Sequence, residues 1–446
     1  MNIEELANLL RENGVVGAGG AGFPSYAKLN SDADTIILNC AECEPILKLH
    51  RQVLEKYAYE IVSTFAEIAK AVEAKKAIVA VKKSYKGAVE AVKAVLKDYN
   101  KIEIKYLPEV YPSGDEVFTI YEVTGRVVPP GKIPISVGVT VFNVETVYNI
   151  YKAIHNGEPV TQKFITVAGE VKEPKTVYVP LGMTFKEVIE LAGGITTADY
   201  ALINGGPMMG REAGIYDTVT KTTNAILVLP KNHYIIERKN ANTNIDMKRA
   251  MSACCQCRMC TDLCPRNLLG HPIVPSEFMH AASSGTIRDI KPMINTAFCS
   301  SCGLCELYSC GQGLSPRTLI TEYKGELKKQ GILPERDIKM APVSKMRKYR
   351  GVSKERLTAR IGLAKYETPA PLDTAEVKVN EYKIALSQHI GAPAVASVKV
   401  GDTVKKYQVI GKAREAALSV NIHSPSDGEV IAVSERQITI RQEGGR

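Results

Sequence analysis

Eleven cysteines are spread unevenly along the 446 residues: nine fall between positions 254 and 310, and the others are Cys40 and Cys43. Thiols clustered at two- and three-residue spacing point to metal chemistry rather than to disulfides when the chain is intracellular. Cys254-x2-Cys257-x2-Cys260-x3-Cys264-Pro265 has the spacing by which bacterial proteins hold a 4Fe–4S cubane. Cys299-x2-Cys302-x2-Cys305-x4-Cys310 is a close variant, with Gly311 where the proline would stand. Three thiolates two residues apart wrap one face of a cubane, and in two-cluster proteins the fourth crosses to the other cluster. The expected sets are Cys254, Cys257, Cys260 and Cys310 for one cluster, and Cys299, Cys302, Cys305 and Cys264 for the other. Structural zinc uses two CxxC pairs rather than a triplet. Cys255 is expected to be a buried thiol outside both sets.

Such a pair of clusters moves single electrons and needs a donor. Gly17-Ala18-Gly19-Gly20-Ala21-Gly22-Phe23-Pro24 is a second place where chemistry is plausible. Residues without Cβ let backbone N–H groups approach a phosphate or a flavin ring. Phe23 adds an aromatic plane and Lys28 a cation, while Glu42 and Glu44, at a strand end, could bind ribose hydroxyls. The loop does not follow a strand, so it fails the context of a Rossmann dinucleotide site.

The elements that must carry these residues are legible from periodicity. Residues 3–12 read as an amphipathic helix. Strand 35–39, helix 49–74, strand 77–81, helix 85–97 and strand 101–107 alternate, which implies a largely parallel sheet. The loop Tyr111-Pro112-Ser113-Gly114-Asp115-Glu116 leads into another helix, and 139–151 closes a first domain. The fold class is α/β, with expected domains at 1–160, 161–240, 241–330 and 375–446 and a basic linker at 331–374. The second has the texture of a β-grasp, with a helix from Thr184 to Ala192 and the turn Gly205-Gly206-Pro207-Met208-Met209-Gly210. The third is helical and carries the cysteines. The last contains two similar half-units, VKVGDTVKKYQVIG and PSDGEVIAVSERQITI, as in a lipoyl-like barrel-sandwich. It lacks a lysine in the lipoylated setting and is expected to be a docking module.

Composition narrows the functional classes. The 45% hydrophobic and 24% charged content suits a globular chain with a proper core. No run approaches the roughly 18 apolar residues of a membrane helix. The acidic, amphipathic MNIEELANLLREN is no secretory signal, so a cytoplasmic location is expected. The net charge of +9 is concentrated in residues 324–360, with twelve Lys/Arg against four Asp/Glu. With no Trp and few aromatics to stack on bases, this stretch suits a solvated face or an acidic protein partner such as ferredoxin or flavodoxin, and not nucleic acid.

The glycine loop with Lys28, the run Asn39-Cys40-Ala41-Glu42-Cys43-Glu44-Pro45, the Tyr111–Glu116 loop and Phe142-Asn143-Val144-Glu145-Thr146 together resemble the FMN- and NADH-binding subunit of respiratory complex I. The resemblance implies that Gly17, Gly19, Gly20, Lys28, Asn39, Glu42, Tyr111, Gly114, Asp115, Asn143 and Thr146 surround FMN. It places Phe23, Glu44 and Glu116 on the NADH side, with the two glutamates in catalytic positions. Ala18 stands where that family has an arginine, and Ala41 where it has an acidic residue. Across nearly the whole chain, the combination is similar to the C subunit of the Rnf ferredoxin:NAD oxidoreductase. It is also similar to the flavin-containing cobalamin reductases of propanediol-utilising microcompartments. Ser387-Gln388-His389-Ile390-Gly391-Ala392-Pro393 follows the flavin fold instead of preceding it, as in the reductases. That implies NADH as donor, FMN and two 4Fe–4S clusters as carriers, and cobalamin or a cobalamin-handling enzyme as acceptor. It also allows a place inside a bacterial microcompartment or at the periphery of a membrane. The alternatives are an Rnf-type subunit exchanging electrons between ferredoxin and NAD, and an NADH-independent adaptor feeding a partner reductase.

Overall fold

The structure, a computed structural model, describes residues 1–335 and 338–442. After α1 (Ile3–Glu12), the first unit runs β1 (Thr35–Asn39), α2 (Leu49–Lys56), α3 (Ala58–Ala71), β2 (Lys76–Lys82), α4 (Lys86–Val95) and β3 (Ile102–Leu107). It continues with β4 (Val110–Tyr111), α5 (Glu116–Thr124), β5 (Val139–Asn143) and α6 (Val144–Tyr151). The sheet is four-stranded, ordered β3-β2-β1-β5, and every pairing is parallel. Parallel strands covered on both faces need apolar residues at successive positions, and TIILN and VTVFN supply them. Alternate side chains point to opposite faces. Ile36 and Leu38 enter the core shared with α1 to α4 and α6, while Ile37 enters the smaller core beneath α5.

The helix expected over 49–74 is two helices. Tyr57 breaks it at ψ 35°, and its ring stacks on Tyr148 at 4.3 Å. That tertiary contact outweighs the helical preference of the flanking residues.

The second unit contains β6 (Gln162–Gly169), β7 (Lys175–Pro180), α7 (Phe185–Leu191), β8 (Tyr200–Asn204), β9 (Arg211–Ala213) and β10 (Ala225–Pro230). Thr184 and Glu187 form a reciprocal capping box that starts α7. Helices α8 (Tyr234–Lys239) and α9 (Thr243–Ala253) lead into the cysteine region. There α10 (Met259–Asp262), α11 (Pro265–Leu268), α12 (Pro275–Ser284), α13 (Lys291–Ile294) and α14 (Pro316–Lys329) pack around Ala250, Phe278, Met279, Leu319 and Ile320.

The stretch read as a basic linker is largely a strap. Its β11 (Val352–Ser353) pairs antiparallel with β4, and α15 (Lys354–Arg360) follows. Leu357, Ile361 and Leu363 are fully buried, and β12 (Leu372–Asp373) extends the β-grasp sheet beside β7. The four-residue spacing of Leu357 and Ile361 puts one apolar stripe on a helix whose other face is charged. Arg336 and Asp337 of this stretch lie outside the described residues.

The C-terminal unit is two small sheets. One is β13 (Glu381–Ala385), β19 (Gln437–Gln442), β18 (Gly428–Val433) and β15 (Thr403–Val404) in that order; the other is β14 (Val395–Ala396), β16 (Val409–Lys412) and β17 (Ile422–His423). It docks within its own chain. Tyr382 and Ile384 share the main core with Leu181 and Met183, and Lys383 donates to the Gly182 carbonyl. Among the described residues, no helix is long and apolar enough to cross a membrane.

Candidate functional site: a glycine-loop crevice and two cysteine cavities

In the flavin-like unit the strand order reverses between β1 and β5, so a crevice opens at their carboxyl ends. Asn39 and Asn143 end these two strands and are partners in the ladder. Above them the glycine loop closes on itself, with Gly17 N donating to Phe23 O and Ser25 N to Val15 O. Ala18 N donates to Thr146 Oγ1, which fastens the loop to the start of α6. Asn143 Oδ1 caps α6 by accepting from Glu145 N and Thr146 N. A Cβ on Gly19 would lie 2.6 Å from Asn143 Nδ2, so only glycine permits this approach. Gly19 and Gly20 are exposed, and among the described residues their amides donate to no protein group. Two free amides at a strand-end crevice fit an FMN edge or phosphate.

Most polar side chains expected to touch the flavin are engaged by protein. Asn39 Nδ2 donates to Gly114 O and its Oδ1 accepts from Ala41 N, binding two loops together. Gly114, at φ +145°, comes so close to Ala41 that a Cβ would sit 3.0 Å from its carbonyl oxygen. Glu42 is buried beside His50, whose Nδ1 lies 3.1 Å from Glu42 Oε2 but off the line of a hydrogen bond. His50 Nε2 faces Asn143 Nδ2 at 3.1 Å; if it accepts there, the ring proton is on Nδ1, toward the carboxylate. No feature of the sequence singled out His50.

Several residues expected beside FMN or NADH also have protein partners. Lys28 Nζ donates to Val141 O at 2.9 Å and to Glu116 Oε1 at 3.2 Å, so the cation is tied to the glutamate expected on the NADH side. Glu44, expected on the NADH side, is engaged by backbone amides. It is buried and accepts from Met208 N at 2.8 Å and Met209 N at 3.0 Å, clamping the turn of the β-grasp unit. Burial pushes its pKa up to about 7 against the pull of those two amides. Met208 is buried in that turn, whereas Met209 is 54% exposed. Tyr111 is buried and donates its hydroxyl to Cys302 O at 2.6 Å. Asp115 caps α5 through Phe118 N and pairs with Arg266 at 2.8 Å. Phe23 remains half-buried on the loop.

The C-terminal unit reaches the same loop. Ile390 N donates to Ala21 O, and Gln388 Oε1 accepts from Lys221 N. His389 is a structural contact: Nδ1 lies 2.8 Å from Ile390 O, and its Cα would meet a Cβ on Gly22 at 2.9 Å. Gly22 also has φ +76°, a conformation in which a side chain is strained. Gly22→Ala is therefore expected to displace the glycine loop and lower FMN content severalfold, measured as bound flavin per chain. Gly125→Ala, away from the loop and with nothing within 4 Å of its Cβ, should retain flavin.

The cysteines surround two separate spaces. Cys254, Cys257, Cys260 and Cys310 border a cavity of about 300 Å³ whose walls include Met279 and Leu314. Cys264, Cys299, Cys302 and Cys305 border a tighter one of about 20 Å³. Each space thus takes three thiols from one motif and one from the other. Among the described residues, no three His, Cys, Asp or Glu side chains converge as a single metal ion requires. The first cavity has room for a cubane; in the second the donors are right but the thiols must part to admit one. Burial raises the thiol pKa of Cys260 and Cys302 to about 12 and that of Cys264 to about 11, so ligation must displace protons. Backbone amides already point at sulfur: Ser301 N donates to Cys299 Sγ and Leu314 N to Cys310 Sγ.

Charged residues next to these thiols position them. Arg266 follows Cys264-Pro265 and is held by Asp115. Glu306 follows Cys305, is 1% exposed, and accepts from Arg317 Nη2, Thr318 N and Thr318 Oγ1. Arg238 donates to Gly313 O, Leu314 O and Ser315 Oγ beyond Cys310. A charge flanking a ligand cysteine was the available signal for Arg266 and Glu306; nothing local marks Arg238. Cys255 is exposed at the cavity rim, not buried as expected, because the turn after Cys254 directs it outward. Cys40 is buried, and burial drives its thiol pKa upward.

Comparison with known proteins fits this geometry. Residues 10–152 match the Nuo51 FMN-binding domain, 164–212 the SLBB domain, 253–315 the 4Fe-4S dicluster domain, and 365–444 the RnfC barrel sandwich hybrid domain. The cobalamin reductase PduS of Salmonella typhimurium is 41% identical over 441 residues, 99% of this chain and 97% of that protein. PduS of Citrobacter freundii is 40% identical over 97% of this chain and 95% of its own. The RnfC-type component of the proton-translocating ferredoxin:NAD(+) oxidoreductase complex of Clostridium ljungdahlii is 34% identical over 60% of this chain and 57% of that protein. FMN-binding and 4Fe–4S domains on one chain make it an electron-transferring oxidoreductase, and by identity and coverage it belongs to the cobalamin reductase PduS family.

Proposed function

We propose that this chain is an NADH-dependent flavoprotein reductase that passes electrons through FMN and two 4Fe–4S clusters to cobalamin, taking Co(III) to Co(II) and on to Co(I). The observation that carries the reading is the joining of the flavin crevice to the Cys264, Cys299, Cys302 and Cys305 cavity by one loop. Tyr111 binds the Cys302 carbonyl at one end of that loop and Asp115 binds Arg266, beside Cys264, at the other. Bound FMN converts a two-electron hydride into single-electron steps and the clusters carry single electrons. The protein supplies position. Thr146 and Asn143 hold the glycine loop over the strand ends, Asn39 holds Gly114, and the loop amides of Gly19 and Gly20 face the crevice. Cys254, Cys257, Cys260 and Cys310 would hold one cluster and Cys264, Cys299, Cys302 and Cys305 the other. The turn bearing Met208, clamped by Glu44, touches the second set, since Gly303 lies against Met208.

One observation favours the NADH-independent adaptor as a second reading. Glu44 and Glu116, the glutamates expected beside NADH, are both held by protein groups. Anaerobic titration separates the two. Under the first reading NADH bleaches the flavin absorbance and the purified chain then reduces cob(III)alamin without a membrane partner. A flavin that stays oxidised under NADH but bleaches with dithionite would establish the adaptor.

A further inference from the structure

The two cysteine sets stand in unlike surroundings. Cys264, Cys299, Cys302 and Cys305 lie against the flavin unit through Tyr111 and Asp115, and against the β-grasp turn through Met208. The other set faces outward. From Cys255 through Met259 the loop is exposed, including Cys257 itself. The adjoining helix α9 leaves Ile245 and Met251 57% and 56% exposed, and Met259 beside the cavity is 42% exposed. Between residues 247 and 261 there is no Asp or Glu, while Lys248, Arg249 and Arg258 are exposed. Among the described residues, none of these three cations has an ion-pair partner; Asp262 pairs with Arg350 and Asp246 is buried.

We infer that this face, α9 with the Cys254–Met259 loop, is the port through which electrons pass between the chain and an acidic one-electron carrier protein. The Cys264 set is then the internal relay from the flavin. The inference rests on the cluster assignment proposed above. Electron transfer between proteins requires the carrier to come within contact of a ligand, and Cys257 is the exposed ligand candidate of the outward set. Apolar Ile245, Met251 and Met259 supply a dry centre, and three unneutralised cations at its edge select a partner with an acidic rim. In the step itself one electron leaves a reduced cluster and takes the carrier's iron from Fe(III) to Fe(II), with no bond or proton changing hands.

The test uses the full chain with its clusters, reduced by dithionite, freed of excess reductant, and mixed in a stopped-flow cell with oxidised rubredoxin, an acidic carrier. Reduction of rubredoxin is expected to slow steadily as salt is raised. Lys248→Glu with Arg249→Glu should slow it about tenfold or more at low salt, a gap that closes at high salt, because steering of this kind is screened. Iron content and flavin bleaching of the variant should be unchanged. If the double variant loses iron, the salt dependence of the unaltered protein still decides. A flat or rising salt dependence, an unaltered rate in a fully loaded variant, or faster reduction of basic cytochrome c at low salt would overturn the port. So would self-association of the unaltered protein through this face, seen as a dimer by sedimentation that the variant abolishes. Because dithionite is the donor, failure of NADH to bleach the flavin bears on the proposed function and not on the port.

Discussion

Cys264→Ser is expected to empty the inner cysteine site while the outer one stays filled, halving iron and sulfide per chain. The crossing decides this. Cys264 belongs by sequence to the Cys254 motif, yet it borders the cavity of Cys299, Cys302 and Cys305. Cys310 borders the cavity of Cys254, Cys257 and Cys260. A cubane that loses one of four thiolates is exposed to solvent at one iron and is readily lost. The readout is thiol labelling after anaerobic purification. In Cys264→Ser, Cys299, Cys302 and Cys305 should react with iodoacetamide while Cys254, Cys257 and Cys260 stay protected. Cys310→Ser should give the reverse. If each motif held its own cluster, the labelled sets would exchange, and the crossed assignment would be wrong.

The largest stability effect is expected at Lys163. Its ammonium is buried and forms an ion pair with Glu145, while also donating to Phe164 O at 3.1 Å and Asn224 Oδ1 at 2.9 Å. Glu145 Oε1 accepts from Phe164 N, so both oxygens of that carboxylate have a partner. Lys163→Met leaves the Glu145 charge buried without its partner, a change that costs about 3–5 kcal/mol when the pair is fully desolvated. Glu145 sits between Asn143 and Thr146, so the loss should reach the flavin loop as well. The expected result is a denaturant midpoint well below that of the unaltered chain, with flavin fluorescence released earlier in the titration. Lys163→Met combined with Glu145→Gln should recover much of the loss, because the orphaned charge is gone. A single variant as stable as the parent would show that water reaches the pair and that burial is not what holds the two units together.

The parts of the site set by local spacing were legible in the chain. The two cysteine triplets can hold little but a cubane face at that spacing, and the alternation of strands 35–39, 77–81 and 101–107 with helices led to a parallel sheet that is present. The glycine loop was found where its permissive backbone is needed, at Gly19 against Asn143 and Gly22 against His389. Less legible were the protein partners of side chains that have more than one possible neighbour. The family resemblance places Tyr111, Asp115, Lys28 and Glu44 at the cofactor or substrate. Their nearest groups come from residues far along the chain: Cys302, Arg266, Val141 and Met208. The strap at Val352–Tyr366 was read as a linker because its charge is conspicuous, while the stripe of Leu357, Ile361 and Leu363 that buries it is sparse.

By itself the sequence determined the donor atoms: which thiols stand three residues apart, which positions lack a Cβ, and which runs must be buried strands. Those follow from covalent spacing and backbone sterics, which act over a few residues. Only the tertiary structure decided which polar groups remain free and which distant partner each of the others meets. Cys255 turns outward, Glu44 accepts from the amides of Met208 and Met209, and Glu116 pairs with Lys28. The reason is physical. A buried polar group must be satisfied by whatever partner the fold brings within about 3 Å, and that partner is chosen by packing across hundreds of residues rather than by the local chain.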